Sequence, residues 1–325
     1  MGKRGRFAKV SRFTVNYNRP KPKIIVICGP TGVGKTSAAI EIAGEFKGEI
    51  INADSMQIYK YMDIGTAKPT LDEQVRVKHH MIDIVDPDES FDAAIYAKTA
   101  HEIIMKLDRQ DIISFVAGGT GFYIKALLHG LFMAGQSDVN IRERLKEEAA
   151  VHGEAFLHKR LSKCDPTAAE NIHPNDTYRI IRALEVYEIT GKSISECHEE
   201  HGFIDEPFKV LTIGLDINRE ILYDRINSRV DAMIDSGLVD EVKWLLHKGY
   251  SENLKPMQSI GYRHITDYIK GRLSWDEALL THKRDTRRYA KRQMTWFKAD
   301  SRIVWIKPGQ FEDIIVLTKK FLAET

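Results

Sequence analysis

The chain has 325 residues, 43% hydrophobic and 29% charged, with a formal net charge of +2. That length suits one large domain plus a smaller one, and the composition is ordinary for a soluble globular protein. The near-neutral total does not announce a nucleic-acid binder. No apolar run reaches the roughly 20 residues needed to span a bilayer. The three scattered cysteines, Cys28, Cys164 and Cys197, form neither a zinc-ligand pattern nor a disulfide framework, so a reducing, cytoplasmic setting fits.

The first stretch, residues 1–22, carries Lys3, Arg4, Arg6, Lys9, Arg12, Arg19 and Lys21 and no acid. It reads as a flexible basic arm: a leader or alternative start in preference to a loose contact with a phosphate backbone. Ile24 to Cys28 is short, apolar and β-branched, and predicts a buried strand, with Cys28 a small buried hydrophobe. Ser37 to Phe46 predicts a helix. Between them lies Gly29-Pro-Thr-Gly-Val-Gly-Lys-Thr36. A strand, then G-x-x-x-x-G-K-T, then a helix is the context of a phosphate-binding loop. Its glycines let backbone N–H groups converge on one point, where the helix N-terminus adds partial positive charge. Lys35 supplies a full charge, and the Thr36 hydroxyl suits magnesium. The motif says that a polyphosphate binds, without saying which.

Glu49 to Asn52 predicts a second strand. It ends beside Asp54, at the edge of an open α/β sheet where ligands bind. Tyr61 to Thr70 reads as a loop, and His79 to Val85 as a third strand. A helix runs from about Ser90 to about Arg109, and Asp111 to Ala117 is a fourth strand. That strand ends in the turn Gly118-Gly-Thr-Gly121, which leads into the helix Phe122 to His129. Such alternation argues for an α/β fold, a parallel sheet with helices on both faces. From Met133 to Phe208 the pattern is helical only (Ile141 to His152, Glu154 to Ser162, Asn175 to Ile189), punctuated by Asp165-Pro and His173-Pro. Strand character returns at Lys209 to Asp216. The division implied is a core of residues 23–132 and 209–325 with an all-helical insertion at 133–208. Further helices are expected at Arg219 to Asp235, Leu238 to His247, Ile260 to Lys270, Ser274 to Lys298 and Phe311 to Leu322, with a last strand at Ile303 to Ile306.

Kinases and nucleotide hydrolases with such a loop usually close a strand with a magnesium-shell aspartate. The fourth strand here ends in small residues, and no arginine-rich lid is evident. The acid best placed for chemistry is Asp54. In the tail, Lys283, Arg284, Arg287, Arg288, Lys291 and Arg292 stand against a single acid, Asp285. Arg284, Arg288, Lys291 and Arg292 fall near one helix face, with Tyr289, Trp296 and Phe297 opposite. That imbalance reads better as a phosphate-backbone contact than as a solvated face.

Several stretches together resemble one family, the tRNA dimethylallyltransferases or tRNA isopentenyltransferases, of bacterial type. They are the phosphate loop, Asp54-Ser-Met-Gln-Ile-Tyr59, Met62-Asp-Ile-Gly-Thr-Ala-Lys-Pro69, Gly118-Gly-Thr-Gly-Phe-Tyr123, Asn175 to Val186, Arg225 to Val242, Gln258-Ser-Ile-Gly-Tyr-Arg263 and the basic tail. Met62 to Pro69 is the most specific. The resemblance implies a kinase-like phosphate-loop core with an insertion that grips the anticodon stem-loop. The implied reaction moves a dimethylallyl group from dimethylallyl diphosphate to N6 of the adenine at position 37, beside the anticodon, in tRNAs reading UNN codons. The implied cofactor is Mg2+, and no obligate protein partner is evident, so a monomer is expected. Gly29, Pro30, Thr31, Gly32, Val33, Gly34, Lys35 and Thr36 would hold the donor diphosphate, with Thr36 on the metal. Asp54 would be the base that an exocyclic amine needs, and Lys35, Thr36 and Arg229 would stabilise the leaving group. The tRNA contacts implied are Asp54, Ser55, Met56 and Gln57, then Thr120 and Arg142. Tyr178, Arg179, Ile180, Ile181 and Arg182 follow, then Gln258, Ser259, Ile260, Gly261, Tyr262 and Arg263.

Plainer readings stand beside these. Asp54 can be a magnesium or loop-capping aspartate, Arg225 and Arg229 a solvated salt-bridge face, and Thr120 a helix cap. Ile180 and Ile181 are as much core as contact, and Tyr262 is more often packing than stacking. The rival functions are an adenylate isopentenyltransferase, a phosphate-loop nucleoside or metabolite kinase, and a non-catalytic RNA-binding protein with an ATP switch. The insertion and the basic tail favour tRNA over free adenylate. Asp54 and the missing lid favour transfer over the others. No cysteine–histidine zinc module follows residue 300, which points to the bacterial type.

Overall fold

The computed structural model describes residues 20–131, 138–201 and 206–324, so most of the basic arm lies outside the described residues. The chain divides into two compact units. Of the described residues, 129–131 and 138–201 form the first, which is helical, and 20–128 with 206–324 form the second.

The larger unit begins with β1 (Lys23–Cys28), α1 (Lys35–Glu45), β2 (Glu49–Asn52), α2 (Leu71–Arg76), β3 (His79–His80), α3 (Ala93–Asp108), β4 (Ser114–Gly118) and α4 (Gly121–His129). The helical unit supplies α5 (Val139–His152), α6 (Glu154–Cys164), α7 (Pro166–Asn171), α8 (Thr177–Thr190) and α9 (Ile194–His201). The chain then returns through β5 (Lys209–Leu215), α10 (Arg219–Asp235), α11 (Leu238–His247), α12 (Tyr262–Ile269), α13 (Trp275–Lys298), β6 (Val304–Ile306) and α14 (Phe311–Ala323).

The strands form one six-stranded sheet in the order β3-β2-β4-β1-β5-β6, every pair parallel. β1 sits between β4 and β5, so the phosphate loop leaves the middle of the sheet. Parallel strands covered on both faces need apolar residues at every position rather than at alternate ones. Ile25 and Ile27 join Ile40 and Ile42 of α1 and Ile314 of α14 in one core cluster. Their neighbours Ile24 and Val26, pointing to the opposite face, are also fully buried. Each such side chain contributes about 1.5–3 kcal/mol of burial.

The third strand is shorter than the sequence suggests. Met81 (φ 65°) and Asp83 (φ 54°) are left-handed, which breaks strand geometry. Beyond His80, only Val85 regains a bridge, parallel to Tyr59. Three short helices escape a periodicity reading, and each carries a start signal. For α2, Thr70 and Glu73 form a reciprocal capping box. For α7, Asp165-Pro is a beginning rather than a break: Pro166 is the first helical residue, and Asp165 Oδ1 accepts from Ala168 N–H at 2.9 Å. For α9, the Ser193 N–H donates to Glu196 (2.7 Å) and the Glu196 N–H to Ser193 Oγ (3.1 Å).

Candidate active site

β1 delivers the chain to Gly29 at the carboxyl edge of the sheet, and the loop ends at Gly34. Gly34 caps α1 in a left-handed conformation (φ 102°) that disfavours a side chain, and it offers no side-chain cap. The first-turn N–H groups of α1 are therefore not covered by a capping side chain, which leaves a concavity suited to an anion. Lys35 Nζ donates to the Pro30 carbonyl at 2.8 Å, folding the ammonium back over its own loop. Burial pushes this ammonium down to about 8. The Asp54 carboxylate opposes that shift, and the Arg229 guanidinium reinforces it.

Two cavities open around the loop. The first, about 320 Å³, is lined by the loop from Thr31 through Lys35 and Thr36, by Asn52, Gln57 and His79, and by Arg229, Tyr289 and Gln293. The second, about 340 Å³, is lined by Ser55, Met56, Gly65, Gln258, Ser259, Ile260, His282, Thr286 and Arg292. Thr31, Asp54, Thr66, Arg229 and Tyr289 line both, so these residues mark the junction. Asn52 Nδ2 is buried on the wall of the first cavity and has no hydrogen-bond partner among the described residues.

Asp54 follows β2 directly. Its Oδ1 accepts from the N–H groups of Met56 (2.8 Å) and Gln57 (3.4 Å), which is the loop-capping geometry the sequence allows. Its Oδ2 receives no hydrogen bond among the described residues, so capping leaves one oxygen free at the junction. The Ser55 N–H donates to Thr120 Oγ1 at 3.0 Å, which ties this turn to the Gly118–Gly121 turn. Buried Gln57 donates through Nε2 to the carbonyls of Thr66 and Ala67 (3.0 and 3.1 Å). Arg229 makes no ion pair or hydrogen bond among the described residues. Burial lowers its guanidinium pKa against the pull of Asp54 and then Glu73. Cys28 is an inert buried thiol, pushed up to about 12 by burial.

Helix α13 brings groups that the sequence reading placed elsewhere. The basic face is as expected, with Arg284, Arg288, Lys291 and Arg292 all exposed. Its other side is not simply apolar. Gln293, 7% exposed, accepts the Thr31 N–H at Oε1 (2.8 Å) and donates through Nε2 to the Gly119 carbonyl (2.8 Å), clamping the phosphate loop to the glycine turn. Tyr289 stands at the junction with Arg292 over its ring (5.7 Å). Burial, then the Asp54 charge, pushes its phenol up to about 12. His282 is buried and pushed down to about 4, chiefly by burial, so it presents an uncharged ring at neutral pH. His282, Thr286, Tyr289 and Gln293 recur at helical spacing. That polar stripe on an otherwise packed face was the available signal.

Of the tRNA-contact candidates, Asp54, Ser55, Met56, Gln258, Ser259 and Ile260 line the second cavity, with Thr120 bonded to Ser55. Tyr262 has no exposed surface. Arg263 pairs with Asp285 at 2.5 Å, and Gly261 caps α12. The other candidates lie in the helical unit. Tyr178 is 77% exposed, and Arg179 is also exposed and pairs with Asp176 (2.7 Å). Arg142 and Arg182 both pair with the fully buried Glu185, at 2.8 and 2.6 Å. Ile180 and Ile181 pack into the unit's core beside Leu184, which leaves them little or no surface for RNA.

A phosphate loop whose cavity adjoins a second one gives room for a phosphate-bearing donor and a separate acceptor, the layout of a phosphate-loop transferase. A family model described as IPP transferase matches residues 57–300. A protein of Desulfosudis oleivorans named tRNA dimethylallyltransferase is 55% identical, with 93% of this chain and 96% of that relative covered. The crystal structure of the tRNA isopentenylpyrophosphate transferase from Bacillus halodurans superposes with a TM-score of 0.70 at 39% identity, covering 93% of this chain and 97% of that one. A eukaryotic dimethylallyltransferase acting on tRNA gives a TM-score of 0.79 at 30% identity, over 93% of this chain and 80% of the other. The chain belongs to the tRNA dimethylallyltransferase family. It is thus a prenyltransferase. Among the described residues no helix is long and apolar enough to cross a membrane.

Proposed function

We propose that this enzyme, acting as a monomer in the cytoplasm, transfers the dimethylallyl group of dimethylallyl diphosphate to N6 of the adenine at position 37 in tRNAs reading UNN codons. The observation that carries this reading is the meeting of the two cavities at Asp54. The diphosphate lies in the cavity of the phosphate loop, and the flipped adenine enters the other; flipping costs a few kcal/mol. The N6 lone pair forms a bond to C1 of the donor. The C1–O bond breaks, its electron pair leaves with the diphosphate, and the N6 proton passes to Asp54 Oδ2. Lys35, Arg229 and the loop N–H groups meet the charge growing on the leaving group. Asn52 Nδ2, unpartnered and buried in that wall, donates to the same group.

The residues present fit magnesium. The cavity offers the Thr36 and Ser37 hydroxyls and two carboxylates, Asp54 and Glu73, and no cluster of three or more metal-ligating side chains occurs among the described residues. A sparse set of hard oxygens suits an ion that keeps its waters and binds phosphate oxygens. Thr36 would hold it, and it would neutralise charge on the diphosphate. Exposed Tyr178 and Arg179, with Arg142 and Arg182, support a role of the helical unit in gripping the anticodon stem-loop.

The purified enzyme with magnesium is expected to move radiolabel from dimethylallyl diphosphate onto unmodified tRNA. Label on free AMP alone would instead indicate an adenylate enzyme, and ATP turnover without transfer a kinase. Asp54→Asn, which keeps the capping oxygen, is expected to lower kcat by about 10²–10⁴ while leaving tRNA binding largely intact. Full activity in that variant removes Asp54 from its role.

A further inference from the structure

The segment Met62 to Pro69 lines both cavities through Thr66 and the second one also through Gly65. Its tip is gripped by a carboxylate from another element. Glu241 of α11 accepts the N–H groups of Asp63 (2.9 Å) and Ile64 (2.8 Å) at Oε2. At Oε1 it accepts the N–H of Gly65 (3.1 Å) and the hydroxyl of Tyr262 (2.5 Å). Three successive backbone N–H groups converging on one anion form a nest, and four donors saturate both oxygens. Gly65 is required for this approach, because a Cβ there would lie 2.5 Å from the Tyr262 ring. On the other side of the loop, Lys68 Nζ bonds Asp63 Oδ1 (2.5 Å), Asp83 Oδ1 (2.6 Å) and the Tyr59 carbonyl (3.0 Å). Gly65 is the last residue of the first fastening, and Thr66 lies between it and the second.

We propose that Glu241 is a positioning residue for the acceptor base, braced by Tyr262. It fixes the loop so that Gly65 and Thr66 form a preformed wall of the second cavity beside Asp54. This rests on the functional reading above, in which that cavity receives the adenine. Tyr262 then serves RNA recognition through the loop, not by contact, which accords with its complete burial. Its phenol stays a donor, because burial and then the Glu241 charge raise its pKa well above the ordinary value. A neutral glutamine cannot replace the carboxylate: its amide would present N–H to N–H.

The test uses Glu241→Gln and Tyr262→Phe in the full chain, with kcat, separate KM values for tRNA and dimethylallyl diphosphate, the Kd of inorganic diphosphate, and amide exchange at residues 63–65. In Glu241→Gln, the KM for tRNA is expected to rise about 10-fold or more, the usual effect of losing a charged hydrogen-bond acceptor. The diphosphate Kd and the donor KM stay within about 2-fold, and exchange at 63–65 accelerates. Tyr262→Phe moves the same quantities less. Unchanged exchange, an unchanged tRNA KM, or an equal loss of diphosphate and tRNA binding overturns the proposal. If Glu241→Gln does not fold, an unchanged tRNA KM in folded Tyr262→Phe does so. Wild-type enzyme that fails to prenylate tRNA overturns the functional reading instead, while amide exchange still reports on the latch.

Discussion

An ammonium folded beneath its own loop changes its proton affinity when an anion arrives. Lys35 sits near 8 in the free protein, against an ordinary value of 10.5, because burial disfavours its charge. Between those two pH values the unfolded chain holds the extra proton, so this group favours folding more as pH rises through the window. A bound diphosphate reverses the preference. Calorimetry in buffers of different ionisation enthalpy at about pH 8.5 is therefore expected to show proton uptake on diphosphate binding, with affinity falling as pH climbs above about 8. Lys35→Met should abolish the uptake, and uptake persisting in that variant assigns it to another group. Lys35 and Asp54 were legible in the sequence, because one lies in a fixed motif and the other at a strand's carboxyl end. Gln293, Tyr289 and Glu241 were not, since their partners lie 174 and 262 residues away for Gln293 and as many as 178 for Glu241. No local pattern encodes such pairings.

Among the elements, α8 shows how a helix can hold arginines without burying their charge. Glu185 is fully buried and receives Arg142, Arg182 and the Asp138 N–H (3.1 Å). One turn on, Glu188 pairs with Arg144 and Arg160. Removing Arg142 and Arg182 together strands the Glu185 charge, and the helical unit is expected to lose about 3–5 kcal/mol in urea unfolding. Adding Glu185→Gln should restore most of that loss; no restoration would mean that the arginines stabilise the unit by some other means. Loss of tRNA binding in such variants therefore reports on RNA contact only in the Gln background. Long amphipathic helices such as α10 and α11 were placed within a residue of their limits, because period and caps agreed. The short α2, α7 and α9 went unseen: six or eight residues give period too little room, and the start signals of α2 and α7 were read as loop and punctuation.

For the molecule as a whole, strand and helix alternation was enough to read a parallel sheet. It could not give the strand order, which depends on crossovers that local residues do not specify. Nor could it show that the space around the phosphate loop is divided. That division sets a condition on the trajectory of the transferred carbon. On the proposed reading the diphosphate leaves into one cavity and the amine arrives from the other, so the nitrogen is expected to approach C1 opposite the departing oxygen. Donor made chiral at C1 by a single deuterium is therefore expected to give product of inverted configuration, read by enantioselective analysis of the released side chain. Retention would place both partners on the same side, and racemisation would mean that the allyl fragment turns freely before it is captured.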